Sequence, residues 1–336
     1  MTSKLNDSDE LENTWNEKPE IILSFIKAHP QYEQLCSEVA YILTKRMDEQ
    51  NIEYSAITSR AKTLKSFSEK LSRKDYKNPL MEVTDLAAVR VVYLYKNDRP
   101  IIEKIIESEF KIIEKVDKVA EQEADKFGYG ALHYLVNLGR KSSGARYDDL
   151  KGLVCEIQVR TVLQDAWAII DHHLIYKQES DIPKVLRRKI NSLSGLFETA
   201  DDQFDRVRID REEYRETVKS KKDNKKEFLE QEINLESFTE YLKWKFPNER
   251  QVISEGGLSR VLEAIPRFGY TTLDALEKLL THTDKARNAM RNEIGIVSAL
   301  NEVSRAIALK HPKYRKNITY SSQTLESIKR NNKLVS

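Results

Sequence analysis

Glu156, Gln158 and Arg160 stand at alternate positions of the segment Val154–Thr161, with Cys155, Ile157 and Val159 between them. Strict alternation predicts a β-strand with one apolar and one polar face. A carboxylate, an amide and a guanidinium in a row cost desolvation unless something polar sits against them. An edge strand with a wet face is the plain structural explanation. Asp85 supplies a second carboxylate upstream. Two carboxylates are what metal-assisted phosphoryl transfer uses: one or both hold Mg²⁺ on phosphate oxygens, and one can accept the proton of an attacking hydroxyl.

Three upstream segments add to this strand. The first is Arg60-Ala61-Lys62 with Lys70 further on, in a stretch that also holds Ser66. A triphosphate needs several cations on one framework, although a lysine-rich helix or turn is more often solvated surface. The second is Asp85-Leu86-Ala87-Ala88-Val89-Arg90. It leads into the apolar run Ala87–Tyr95, which predicts a central strand buried on both faces. A charge inside such a run calls for a partner, so Arg90 either pairs with Asp85 or Glu156 or contacts a ligand. The third is Gly128-Tyr129-Gly130-Ala131-Leu132-His133. A glycine-flanked Tyr129 can present its ring to a planar base, or it is a simple turn aromatic.

In this order the four segments resemble the synthetase domain of the RelA/SpoT family, which makes the alarmone (p)ppGpp. The resemblance covers about residues 52–177. It implies that Arg60 and Arg90 stack on the adenine of ATP and that Lys62 and Lys70 hold its phosphates. It makes Asp85 a Mg²⁺ ligand and Glu156 the base, with Glu156 also near the metal. Tyr129 would stack on guanine, His133 would contact substrate phosphate, and Gln158 and Arg160 would orient the base or the acceptor. Asp165-Ala166-Trp167-Ala168 and the following Asp171-His172-His173 also match the family pattern. Trp167 reads as core, and His172 either supports the site or packs as a structural histidine. Two departures stand out. Ala88 replaces a usual glycine, and Asp125-Lys126-Phe127 replaces a usual Lys-Pro-Asn beside the acceptor pocket.

The resemblance implies an α+β fold: a nucleotidyltransferase-like mixed sheet flanked by helices, with a further all-helical C-terminal domain. The implied activity is transfer of pyrophosphate from ATP to the 3′-hydroxyl of GDP or GTP, with Mg²⁺ as cofactor. One alternative acceptor is the 3′ end of tRNA, as in toxin-type relatives. Another reading is a catalytically silent binding or regulatory module, against which Asp85, Glu156 and Tyr129 all argue. The pattern of the hydrolase half of the long family members is not found.

These residues need a scaffold. Residues 1–51 read as a polar tail followed by helices, with Pro30 dividing the periodic run Ile21–Met47 in two. Residues 52–180 read as the synthetase domain, with strands at Ala87–Tyr95, Lys111–Val119, Ala131–Leu138 and Leu153–Arg160. Helices are expected at Arg99–Phe110 and from Leu163 to about Tyr176. Residues 181–233 form a charged helical extension, and its lysine run 219–226 reads as a solvated helix end or linker. Residues 234–336 form a small helical domain. There Gly256-Gly257 and Pro266 punctuate the chain, a helix starts at Thr271-x-x-Asp274, and Ile294–Leu309 is amphipathic. His282 and His311 read as isolated surface histidines. A homo-oligomer, or a regulatory partner bound through residues 234–320, is left open.

With 336 residues, 33% charged, and a net charge of +2, the chain is no globally basic nucleic-acid binder. Its two cysteines cannot build a disulfide framework, and Cys155 reads as buried. With no apolar run of membrane-spanning length and no signal peptide, the expectation is a cytoplasmic protein that binds no membrane.

Overall fold

A computed structural model of the chain describes residues 15–117, 130–174, 184–249, 255–295, 297–316 and 320–335. The chain divides into two compact units, Met1–Val207 and Arg208–Ser336.

The first unit is built on a five-stranded mixed sheet. Its strands are β1 (Tyr54–Ala61), β2 (Ala87–Tyr93), β3 (Phe110–Asp117), β4 (Leu132–Leu138) and β5 (Cys155–Thr161). Their order is β1-β2-β5-β4-β3. β2 and β5 run parallel at the centre, and the other neighbours are antiparallel. Helices α1 (Pro19–Glu49), α2 (Leu64–Arg73), α3 (Pro79–Glu82), α4 (Arg99–Glu109) and α5 (Val162–Leu174) surround it. The next helix, α6 (Lys184–Ser220), contains the division between the units.

Partners directly opposite in the ladders share a sheet face, so the register sorts the side chains. Val89, Val91, Cys155, Ile157, Val159, Tyr134 and Val136 lie on one face, in a single core with Phe25, Leu35, Val39 and Leu43 of α1 and Ile102 and Ile106 of α4. The other face carries Arg60, Ala88, Arg90, His133, Glu156, Gln158 and Arg160. The expectation for Cys155 holds; it is fully buried. β5 alternates buried and half-buried throughout, as its sequence requires. It is a central strand, however, so its polar face is not the wet side of an edge strand.

Pro30 does not divide α1, which runs unbroken for 31 residues. A proline inside a helix loses one backbone hydrogen bond. Here Phe25, Tyr32, Leu35, Val39 and Leu43 form one buried stripe on both sides of Pro30, and their burial outweighs that loss. β1 escaped the sequence reading because its burial does not alternate; three consecutive residues, Thr58–Arg60, are exposed.

Asp201 of α6 is a buried carboxyl within this unit, 3% exposed, and accepts a hydrogen bond from Thr161 Oγ1 at 2.6 Å. Burial pushes it up from 3.8 to about 7, against the opposing charge of Lys96. Between those values the folded chain binds a proton that the unfolded chain releases, so this group makes stability fall as pH rises through that window. Asp201→Asn keeps an oxygen for Thr161. It is expected to raise the melting temperature by a few degrees at about pH 8 and to change it little at about pH 4. An equal shift at both pH values in thermal melts would show that this carboxyl is not the titrating group.

The second unit contains helices α7 (Lys225–Leu229), α8 (Leu235–Lys245), α9 (Glu255–Arg267), α10 (Leu273–His282), α11 (Asp284–Ile294), α12 (Ala299–Lys310) and α13 (Ser322–Asn331). Phe238, Tyr241, Leu242, Ile265, Leu276, Leu280, Met290, Val303 and Ile307 belong to its core. Side-chain N-caps start several of these helices: Asn234, Thr272, Ser298 and Ser321 each accept a backbone N–H.

Some sequence expectations shift in this unit. Gly256, Gly257 and Pro266 lie within α9 rather than between elements, because Leu258, Val261 and Ile265 bury one face of it. The cap of α10 is Thr272, one residue later than the expected Thr271. Ile294 closes α11, and α12 begins only at Ala299, after the left-handed Gly295 (φ 83°). His311 is not an isolated surface histidine: its Nε2 is 2.8 Å from Tyr270 Oη and its ring packs on Phe268. Among the described residues, no helix is long and apolar enough to cross a membrane.

Candidate active site

The polar sheet face arranges the expected residues in two rows across the strands. Arg60, Ala88 and Glu156 are directly opposite one another on β1, β2 and β5. Thr58, Arg90, Gln158 and His133 form the next row. Neighbouring strands lie about 4.8 Å apart, so the Arg60 and Glu156 backbones are separated by about 10 Å with only the Ala88 methyl between them. A small residue at position 88 therefore leaves a trough between a cation and a carboxylate. Alanine preserves that space almost as well as the glycine the resemblance led us to expect.

Lys62 follows β1 directly, and its backbone N–H continues the ladder by donating to Leu86 O at 2.8 Å. This places its ammonium beside Asp85, 2.7 Å from Oδ2. Lys70 reaches Asp85 Oδ1 at 2.8 Å from α2, which starts on a Thr63 cap that accepts the Ser66 N–H. Burial raises the Asp85 carboxyl, but the two lysine hydrogen bonds outweigh it and the group stays below the usual carboxylate range.

Glu156 is held at both oxygens. His133 Nδ1 lies 2.7 Å from Oε1, and Gln158 Nε2 donates to Oε2 at 3.0 Å. Burial again pushes the carboxyl up, and the His133 and Gln158 hydrogen bonds bring it below its ordinary value despite the nearby negative charge of Asp85. Glu156 is therefore ionised at neutral pH and oriented. The resemblance assigned His133 to substrate phosphate; in this chain its Nδ1 engages the carboxylate.

The two arginines share a carboxylate that had been given no role. Arg90 pairs with neither Asp85 nor Glu156. Its Nη1 is 3.2 Å from Asp165 Oδ1, and Arg160 Nη1 is 3.6 Å from the same oxygen. Asp165 sits in the first turn of α5, which packs over the end of the polar face where Val92 and Arg160 are opposite. No role for Asp165 was evident from sequence. Its only signal was a carboxylate five residues after Arg160 at a strand-to-helix junction. Trp167 is buried as expected and packs on Phe197. Tyr129 and the Asp125-Lys126-Phe127 departure lie outside the described residues, as does the side chain of His172.

Among the described residues, no group of three or more His, Cys, Asp or Glu could hold a metal. Asp85 and Glu156 are nonetheless close enough for the charge of one to act on the other. Two such carboxylates fit Mg²⁺, which commonly takes one or two carboxylates with substrate phosphates and water rather than a protein cage.

A family model described as "Region found in RelA / SpoT proteins" matches residues 59–181. Residues 59–181 carry a RelA/SpoT domain. This RelA/SpoT domain spans every site residue named above, from Arg60 to Asp165. The chain is 26% identical over 171 residues to the GTP pyrophosphokinase YjbM of Bacillus subtilis, covering 49% of this chain and 77% of that protein. It is 25% identical over 152 residues to the GTP pyrophosphokinase YwaC of the same organism, covering 44% and 70%. The crystal structure of small alarmone synthetase 1 from Bacillus subtilis aligns over 56% of this chain and 98% of its own, with 22% identity and a TM-score of 0.47.

Proposed function

We propose that the RelA/SpoT domain is a Mg²⁺-dependent ATP pyrophosphokinase whose acceptor is the 3′-hydroxyl of GDP or GTP. The observation that carries this reading is the trough on the polar face. An ionised, doubly held Glu156 lies across Ala88 from Arg60, beside an Asp85 that is flanked by two lysines. The GTP pyrophosphokinase relatives support the same class of reaction.

Each residue has a definite task in this scheme. Lys62 and Lys70 exchange Asp85 for the phosphates of ATP and neutralise them away from bulk water. Arg60 and Arg90 hold the adenine. Glu156 accepts the proton of the ribose hydroxyl as its oxygen attacks the β-phosphorus and AMP departs. His133 and Gln158 keep the Glu156 carboxylate aimed, so that its orientation is set before the substrates arrive. Mg²⁺, held by Asp85 with or without Glu156, would draw charge off the phosphate oxygens.

Transfer to tRNA lacks a supporting observation in the lysine run. Lys219 pairs with Glu216, Lys222 with Glu240 and Lys226 with Glu230, and Lys225 lies over the Trp244 ring. Product chromatography from labelled ATP, with GDP, GTP, ATP and deacylated tRNA as parallel acceptors, tests the assignment. The expected result is label in a guanosine polyphosphate, at least about tenfold above the other acceptors (about 1.4 kcal/mol of discrimination). Label appearing chiefly in tRNA would replace the proposed acceptor. Unchanged tRNA labelling after charge reversal of Lys221, Lys222, Lys225 and Lys226 would then exclude that run as its docking site.

A further inference from the structure

Asp165 is the point on which two cations of the sheet face converge. Arg90 comes from β2 and Arg160 from β5, and the register places them one step apart, Arg90 opposite Gln158 and Val92 opposite Arg160. Both guanidiniums approach the same oxygen, Asp165 Oδ1, at 3.2 and 3.6 Å. These are ion-pair distances without hydrogen-bond alignment: among the described residues Arg90 Nε, Arg160 Nε and Asp165 Oδ1 are buried with no hydrogen-bond partner. The arginines also act on each other. Burial lowers the Arg160 guanidinium first, and the charge of Arg90 lowers it further, while Asp165 opposes both. Without the carboxylate, two like charges would face each other on a partly desolvated surface, and the more exposed one would swing away. That one is Arg90, whose side chain is 40% exposed against 13% for Arg160.

We infer that Asp165 is a positioning residue for nucleotide binding: it anchors Arg90 over the trough by screening it from Arg160. The inference rests on the proposed nucleotide site and adds a residue to it. It also moves Arg160 from acceptor contact to the support of the donor pocket. Arg90 would grip ATP equally before and during the chemical step. Loss of Asp165 should therefore raise the KM for ATP and leave kcat nearly unchanged.

The test is calorimetric binding of a non-hydrolysable ATP analogue, together with steady-state kinetics, on the full-length chain. Asp165→Asn is expected to weaken analogue binding and raise the KM for ATP by about tenfold, since a partly desolvated ion pair falls between an exposed pair and a fully buried one. Asp165→Glu is expected to restore most of it. In an Arg90→Met background, Asp165→Asn should cost less than about twofold, since the side chain it positions is gone. A purely structural role would cost the same in both backgrounds, and that outcome overturns the inference. If Asp165→Asn does not fold, Asp165→Ser gives the same comparison. Unchanged analogue affinity in folded Asp165→Asn, with wild-type binding intact, overturns the role of Asp165 alone. Failure of the wild-type protein to bind the analogue overturns the nucleotide site and this assignment with it.

Discussion

Glu156→Gln and Asp85→Asn are each expected to lower pyrophosphate transfer by about 10²-fold or more, the scale of a lost general base or metal ligand. Glu156→Gln keeps the shape of the side chain but cannot take the proton of the ribose hydroxyl. It also turns one of two hydrogen-bond acceptors, now used by His133 and Gln158, into a donor. Asp85→Asn removes the charge that Lys62 and Lys70 share. Lys62 is nearly buried, so this variant also leaves a cation poorly compensated, and its melting curve must be recorded beside its activity. Initial rates with saturating ATP and GDP, on variants shown to be folded, decide the matter. Transfer within a factor of a few of wild type in either one would remove that carboxylate from the mechanism.

Glu302→Ala is expected to destabilise the second unit by about 3–5 kcal/mol, the usual cost of leaving buried charges without their partner. Glu302 is fully buried on α12. It accepts from Arg287 Nη1 at 2.7 Å and from Arg291 Nε at 3.1 Å, with Arg305 Nη1 3.6 Å away. Arg287 and Arg305 are themselves 3% and 4% exposed, so neither can turn to water once the carboxylate is gone. Among the described residues Arg287 keeps Asp284 as an acidic partner, and Arg291 keeps Glu249. Denaturant melts should show a loss of that size confined to the transition of the second unit. A loss below about 1 kcal/mol would mean that the arginines find other acceptors. A comparably sized hydrophobic replacement of the whole cluster would be far better tolerated than removal of Glu302 alone.

The sequence carried local patterns with a short physical range. The alternation of Cys155–Thr161 reflects a side-chain period of two, and the apolar run of β2 a strand flanked by neighbours, and residues adjacent in the chain alone can express both. The carboxylates, lysines and arginines of the site were legible for the same reason, since charges inside or next to apolar runs are conspicuous. Partnership was not legible, because it depends on register. Arg90 was expected to pair with Asp85 or Glu156 or to contact a ligand; β2 and β5 run parallel and place it opposite Gln158, within reach of a helix that begins only after β5 ends, so its carboxylate partner is neither of those two. The contact of His133 Nδ1 with Glu156 was not legible either, because it depends on the antiparallel β4–β5 ladder. Pro30 shows the complementary limit: its local preference for ending a helix was correctly read, but one missing hydrogen bond is small beside the apolar surface that α1 buries along its whole length. Residue types and periods were determined by the chain itself; which charge faces which was decided only when strands distant in the sequence came into register, because ion pairs and hydrogen bonds act over a few ångströms of space and not along the sequence.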